Sequence, residues 1–175
     1  MGFGVSNCVV YLAVSVKYSL PEIERRWLAV EAELPNLKVL DHCTIVDKYI
    51  TQSRLRLREV IRSDDVRYKL TKKYGKSTSI SEPVVNIYLD KVEFNLLNQL
   101  EGNIVRRHRY YIEKSGTTLS INVTKGLPTI IEAEFISESE AYEFVPPRFC
   151  GEEVSANSSF EVASLIQSCN KKGSD

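Results

Sequence analysis

With 175 residues and 43% hydrophobic content, the chain is long enough to bury one substantial core and too short for two comfortable ones. Lysine plus arginine and aspartate plus glutamate each total 23, so the balanced charge excludes a globally basic binder of duplex nucleic acid and gives no pull toward an acidic membrane. The four cysteines, Cys8, Cys43, Cys150 and Cys169, lack any C-x-x-C spacing, which argues against a zinc site or a disulfide framework and makes a reducing cytosol the simplest setting.

Residues 9–16 form an apolar run too short for a membrane span, and neither Lys nor Arg stands ahead of it as a secretory leader requires. The Met1-Gly2-Phe3-Gly4-Val5-Ser6 start fits the loose myristoylation pattern, although the bulky Phe3 counts against it. Residues 1–17 read as an extension or extra strand, residues 18–170 as the domain, and residues 171–175 as a polar tail.

From Glu22 onward the dominant period is two, in short runs divided by polar turns, which makes the class mainly β. Glu22-Ile23-Glu24-Arg25-Arg26-Trp27 places Glu22, Glu24 and Arg26 on one face and Ile23 and Trp27 on the other. Arg54-Leu55-Arg56-Leu57-Arg58 sets three guanidiniums against two leucines, and Lys69-Leu70-Thr71-Lys72-Lys73 aligns Lys69, Thr71 and Lys73. Asp90 is the cap of a helix with Val92, Leu96, Leu97 and Leu100 as its apolar face and Gly102 closing it. Arg107-His108-Arg109 puts two more cations in phase, and Ile131-Glu132-Ala133-Glu134-Phe135 aligns two carboxylates against three apolar residues. Ser137 with Glu140 and Ser158 with Glu161 have capping-box spacing for two more short helices, and Pro146-Pro147 stops the first of them.

A solvated outer sheet face accounts for any one charged row, because antiparallel sheets commonly turn one face to water. Rows of one repeated charge type on five segments are different. Like charges on neighbouring strands repel by several tenths of a kcal/mol per pair, so clustered cationic rows imply a bound anion. A barrel satisfies both halves of the pattern, with apolar faces packed outward against helices and charged faces lining a lumen. Two E-x-E pairs offer the hard oxygen ligands that Mg²⁺ or Mn²⁺ prefers. Arginine forks and lysine point charges suit a chain of phosphates.

These segments resemble the CYTH superfamily, the triphosphate tunnel metalloenzymes, over roughly residues 22–165. Glu22-Ile23-Glu24-Arg25-Arg26 is similar to the family's opening E-x-E-x-K motif. Tyr49-Ile50 with Leu55-Arg56-Leu57-Arg58, then the Lys69, Arg107 and Glu132 segments, follow in the family's order. The resemblance implies an eight-stranded antiparallel β-barrel tunnel with a charged lumen and a few short helices packed outside. It further implies Mg²⁺ or Mn²⁺ on Glu22, Glu24, Glu132 and Glu134. The triphosphate is expected on Arg54, Arg56, Arg58, Lys69, Lys73, Arg107 and Arg109, with Arg26 and Tyr49 near the attacking water. Arg26 stands where the motif has lysine, the run Glu82-Pro83-Val84-Val85-Asn86 lacks the carboxylates of the family's R-x-E-x-E strand, and Asn122 stands where an aspartate is common.

The leading reading is therefore a cytoplasmic, metal-dependent hydrolase of inorganic tripolyphosphate or a nucleoside triphosphate. A class IV-type adenylate cyclase uses the same cradle, and a non-catalytic polyphosphate binder is the reading from another class. A homodimer stays open. A basic-aromatic stripe for single-stranded RNA at Arg106-Arg107-His108-Arg109-Tyr110-Tyr111 is disfavoured, since alternation sends its cations and rings to different faces.

Overall fold

The computed structural model describes residues 16–165. The chain runs through β1 (Leu20–Ala29), β2 (His42–Ile50), β3 (Leu55–Ile61), β4 (Val66–Lys73), β5 (Ser81–Leu89), α1 (Lys91–Leu97), β6 (Gly102–Lys114), β7 (Thr117–Thr124), β8 (Ile130–Phe135), α2 (Glu138–Glu143) and β9 (Cys150–Glu153). The strands form one antiparallel sheet in the order β5-β4-β3-β2-β6-β7-β8-β1-β9, and an added β5–β1 pairing closes the first eight into a barrel. The expected architecture is thus present, with β9 as an extra strand. β1 pairs with β5 through Leu20 to Ile23 and then, where β5 has left, with β9 at Trp27 and Ala29. The expected extension and tail fall almost wholly on residues outside those described.

Strand alternation puts the main core on the outside of the barrel. Ile23 and Trp27 of β1, Leu119 and Ile121 of β7, and Ile131, Ala133 and Phe135 of β8 pack with Ala141, Phe149 and Cys150 in one buried cluster. Phe144, just after α2, meets Trp27 at 6.0 Å and Phe135 at 5.4 Å between ring centroids. Arg25 ties this layer down: its guanidinium donates to the carbonyls of Ala141 and Phe144 at 2.7 and 2.9 Å and binds Glu153 of β9 bidentately. On the opposite side α1 lays Phe94 against Tyr68 of β4, 4.5 Å between centroids.

The helices differ in detail from the sequence reading. Asp90 does cap α1, in a full capping box with Glu93. Its packed residue is Phe94, however, while Val92, Leu96 and Leu100 are exposed, because one seven-residue helix turns only a narrow face to the sheet. Gly102 does not close that helix, which ends at Leu97. It lies in β6 where a side chain has no room, since a Cβ there would sit 2.5 Å from the Tyr49 carbonyl oxygen. Ser137 caps α2 as expected. Ser158 does not act as a cap. Asn157 does so, over a single 3₁₀ turn at Ser158–Phe160.

Trp27 is 1% exposed and sits at the centre of the outer core. Replacing it with alanine should cost about 3–5 kcal/mol of unfolding free energy, read from urea denaturation. A loss below about 1 kcal/mol would mean the outer layer does not hold the barrel together.

Candidate active site in the barrel lumen

Inside the barrel lies a cavity of about 460 Å³, and every one of the residues singled out from the sequence lines it: Glu22, Glu24, Arg26, Tyr49, Arg54, Arg56, Arg58, Lys69, Lys73, Arg107, Arg109, Glu132 and Glu134. β1 and β8 bring their glutamates together by register, Glu24 opposite Glu134 and Arg26 opposite Glu132. β3 and β4 set Arg58 opposite Lys69 and Arg56 opposite Thr71. The lumen is therefore polar by wall, carboxylates on β1 and β8 and guanidiniums across from them on β2's neighbours β3 and β6.

Buried charges must find partners, and here they do so mostly within one strand or between strands one or two apart around the barrel. Lys73 Nζ reaches Glu22 Oε2 at 2.6 Å and Glu82 Oε2 at 3.3 Å. Arg109 donates to Glu132 Oε2 at 2.6 Å and to Asn122 Oδ1 at 2.8 Å. Arg26 lies 3.5 Å from Glu24 and 3.9 Å from Glu161. Among the described residues no group of three or more metal-ligating side chains is already clustered as a metal site, so the two E-x-E pairs do not form a ready-made ligand set.

Sequence reasoning missed the acid at the centre of the basic wall. Asp47 of β2, 1% exposed, accepts from Arg58 Nε at 2.6 Å and Nη2 at 2.9 Å and from Arg107 Nη2 at 2.9 Å, with Arg56 Nε at 3.9 Å. Burial alone would raise its carboxyl, yet Arg58, Arg56 and Arg107 hold it well below the usual carboxylate range. Its alternation with Tyr49 was the available signal, but one acid makes no row. Glu82 was also passed over, although it lines the cavity and accepts the Gly75 N–H at 2.8 Å. The β5 strand is thus not empty of lumen carboxylates. Asn86 accepts the Thr71 hydroxyl at 2.7 Å, and Asn122 anchors Arg109.

Ionisation follows the walls. Burial together with Glu132 and Glu22 pushes the Glu24 carboxyl up to about 8, the mark of several acids crowded in one place. Burial would also raise Glu132 and Glu22, but Arg109 and other arginines hold the first below its ordinary value and Lys73 holds the second there. On the basic side, burial with Arg58 and Arg56 pulls the Lys69 ammonium down to about 8. Two buried guanidinium nitrogens, Arg56 Nε and Arg107 Nε, have no hydrogen-bond partner. Arg107 is 3% exposed while His108 is on the outer surface, so the Arg106 to Tyr111 stretch is not one basic-aromatic surface.

No family model matches the chain, and no curated protein matches it. Solved structures do. The structure of the inorganic triphosphatase NE1496 is 26% identical, covers 82% of this chain and 93% of its own, and superposes with a TM-score of 0.53. A second structure of NE1496 gives 27% identity over 82% and 96% with the same TM-score of 0.53. The PH1012 protein from Pyrococcus horikoshii OT3 is 14% identical over 66% of this chain and 79% of its own, TM-score 0.52, a likeness of fold. Among the described residues no helix is long and apolar enough to cross a membrane.

The raised Glu24 carboxyl gives a signed expectation. Between its ordinary value of 4.5 and about 8 the unfolded chain ionises this group while the folded chain resists. The stability it confers on the metal-free protein is therefore fully present below pH 4.5 and lost as pH rises through about 8. Melting temperature measured from pH 5 to 9 should fall more steeply for the wild type than for Glu24→Gln. Parallel slopes would show that the acids are not crowded in solution.

Proposed function

We propose that this chain, whose barrel is the triphosphate tunnel of the CYTH superfamily, is a metal-dependent triphosphatase acting on a linear triphosphate such as tripolyphosphate. The observation that carries the reading is the two-walled lumen, in which acids on β1 and β8 face a guanidinium cluster that has buried, unbonded donors. Its likeness to the inorganic triphosphatase NE1496 supports the same class of substrate.

The donor set fits a hard divalent cation such as Mg²⁺ or Mn²⁺. All the candidate ligands are carboxylate oxygens, and the raised Glu24 carboxyl marks a place where acids need a cation to ionise together. Glu22, Glu24, Glu132 and Glu134 would hold it, and the bound cation would neutralise phosphate charge as it develops. The remaining work falls to this chain's own side chains. Arg56, Arg58 and Arg107 bind non-bridging phosphate oxygens, and Arg54, Lys69, Lys73 and Arg109 surround the rest of the anion. In hydrolysis a water oxygen bonds to the terminal phosphorus, the bridging P–O bond breaks, diphosphate leaves and the water's proton passes to solvent or base. A guanidinium is a poor general base, so Arg26 orients charge and does not take that proton. Tyr49, opposite Arg56 across the β2–β3 ladder and on the cavity lining, would orient the water.

Tripolyphosphate, ATP, GTP and thiamine triphosphate should be tested with Mg²⁺, Mn²⁺ or no metal, with product identification. Metal-dependent release of phosphate from tripolyphosphate is expected. Cyclic AMP with diphosphate would mark a cyclase, and metal-dependent binding without turnover would mark a sensor. Glu22→Gln with Glu24→Gln should abolish turnover while the barrel stays folded, because Lys73 retains Glu82. Turnover unchanged in that folded variant would end the assignment of the acids.

Arg26→Lys tests the other departure from the motif. A lysine there keeps the charge but offers a group able to release its proton, so hydrolysis should speed up toward alkaline pH with triphosphate affinity little changed. Normal binding with no faster turnover at any pH up to 10 would show that Arg26 does not limit the reaction.

A further inference from the structure

The hub at Asp47 does more than neutralise charge. On top of the triphosphatase reading, we infer that Asp47 is a positioning residue that makes the tunnel selective for the length of the phosphate chain.

Asp47 gathers guanidiniums from two strands, Arg58 and Arg56 from β3 and Arg107 from β6, onto a single carboxylate of β2. Arg58 is fixed by both Nε and Nη2, and Arg107 by Nη2, so neither side chain is free to choose among rotamers. The three cations exceed the one acid, leaving the cluster positive. The grip also leaves Arg107 Nε and Arg56 Nε buried and unbonded. Buried donors without acceptors are costly unless a ligand supplies an oxygen.

Position in the barrel turns this rigidity into a measure of length. In the closed order β2 stands four strands from β1 in either direction and three from β8, so the hub lies across the lumen from Glu22 and Glu24, the β1 acids of the acidic wall. An anion held at that wall meets the fixed guanidiniums only if its chain reaches across. Diphosphate is one phosphoryl group shorter than triphosphate. Arginines pinned by Asp47 cannot bend forward to meet it, whereas arginines released from Asp47 can, because each carries a long flexible stem.

Two roles for Asp47 predict opposite signs. If it only lowers the positive charge, removing its own charge leaves the lumen more cationic and every phosphate chain binds more tightly. If it positions, triphosphate loses the preset forks and binds more weakly. Isothermal titration of tripolyphosphate and of pyrophosphate, with and without Mg²⁺, should be run on the wild type, Asp47→Asn and Asp47→Glu, with melting curves as the check on folding. In Asp47→Asn, tripolyphosphate affinity should drop by about tenfold, the scale of one lost hydrogen bond to a charged group, and the preference for tripolyphosphate over pyrophosphate should shrink with it. Asp47→Glu keeps the charge and moves its oxygens by one methylene, so the preference should shrink there too. It decides alone if the asparagine variant does not fold. Tighter tripolyphosphate binding in Asp47→Asn, or an unchanged preference in a folded variant, overturns the role of Asp47 and leaves the triphosphatase reading in place. A wild type that binds no tripolyphosphate overturns the reading itself, and the inference with it.

Discussion

The structure depends on one electrostatic constraint, that charges enclosed in a narrow lumen have to be balanced within it. A buried ion without a partner costs several kcal/mol, more than a substantial share of a small domain's net stability. The lumen meets this by pairing acids with bases on the same or nearby strands: Lys73 with Glu22 and Glu82, Arg109 with Glu132, Arg26 with Glu24, and the arginine cluster with Asp47. The last of these carries more cations than acids, and that is where buried unbonded donors remain among the described residues.

The same constraint decides where the apolar core goes. Because the interior is given over to charge, the hydrophobic faces of β1, β7 and β8 have to be covered from outside, and α2 with the segment through Phe149 and Cys150 does this. β9 follows from the same need, taking the edge of β1 where β5 departs and offering Glu153 to Arg25, whose guanidinium lies over Trp27 at 4.9 Å. The outer layer is thus the structural half of the protein and the lumen the chemical half. A single alternating strand such as Glu22 to Trp27 serves both.

How much of this could be read in advance follows from which features repeat. The barrel and its lining were legible because period-two rows of one charge type recur on five segments, and a phase repeated that often leaves few alternative faces. Asp47 was not legible, since it stands alone between Val46 and Lys48 in a strand with no other acid. Glu82 was hidden by its neighbours, as Pro83, Val84 and Val85 make the strand look apolar. Helix faces failed for another reason. Along α1 and the turn after it, Phe94 and the expected face of Val92, Leu96, Leu97 and Leu100 are all apolar, and the tertiary packing of Phe94 against Tyr68 chooses between them. Gly102 likewise read as a helix stop because its real neighbour, the backbone of Tyr49, is 53 residues away in sequence.

Self-pairing of the lumen also bears on how metal and anion would act together in the triphosphatase reading. Glu22, Glu24 and Glu132, three of the four proposed metal ligands, are held by Lys73, Arg26 and Arg109, and two of those cations are proposed phosphate ligands. A divalent cation taking the acids releases the bases, and a phosphate chain taking the bases releases the acids. Each ligand therefore lowers the cost of binding the other, and thermodynamic linkage requires the two effects to be equal. The Asp47 cluster stands outside this exchange, because its carboxylate is not among the proposed metal ligands and stays bound to Arg58 and Arg107 throughout. One part of the basic wall is thus freed by the metal, and the other is rigid from the start.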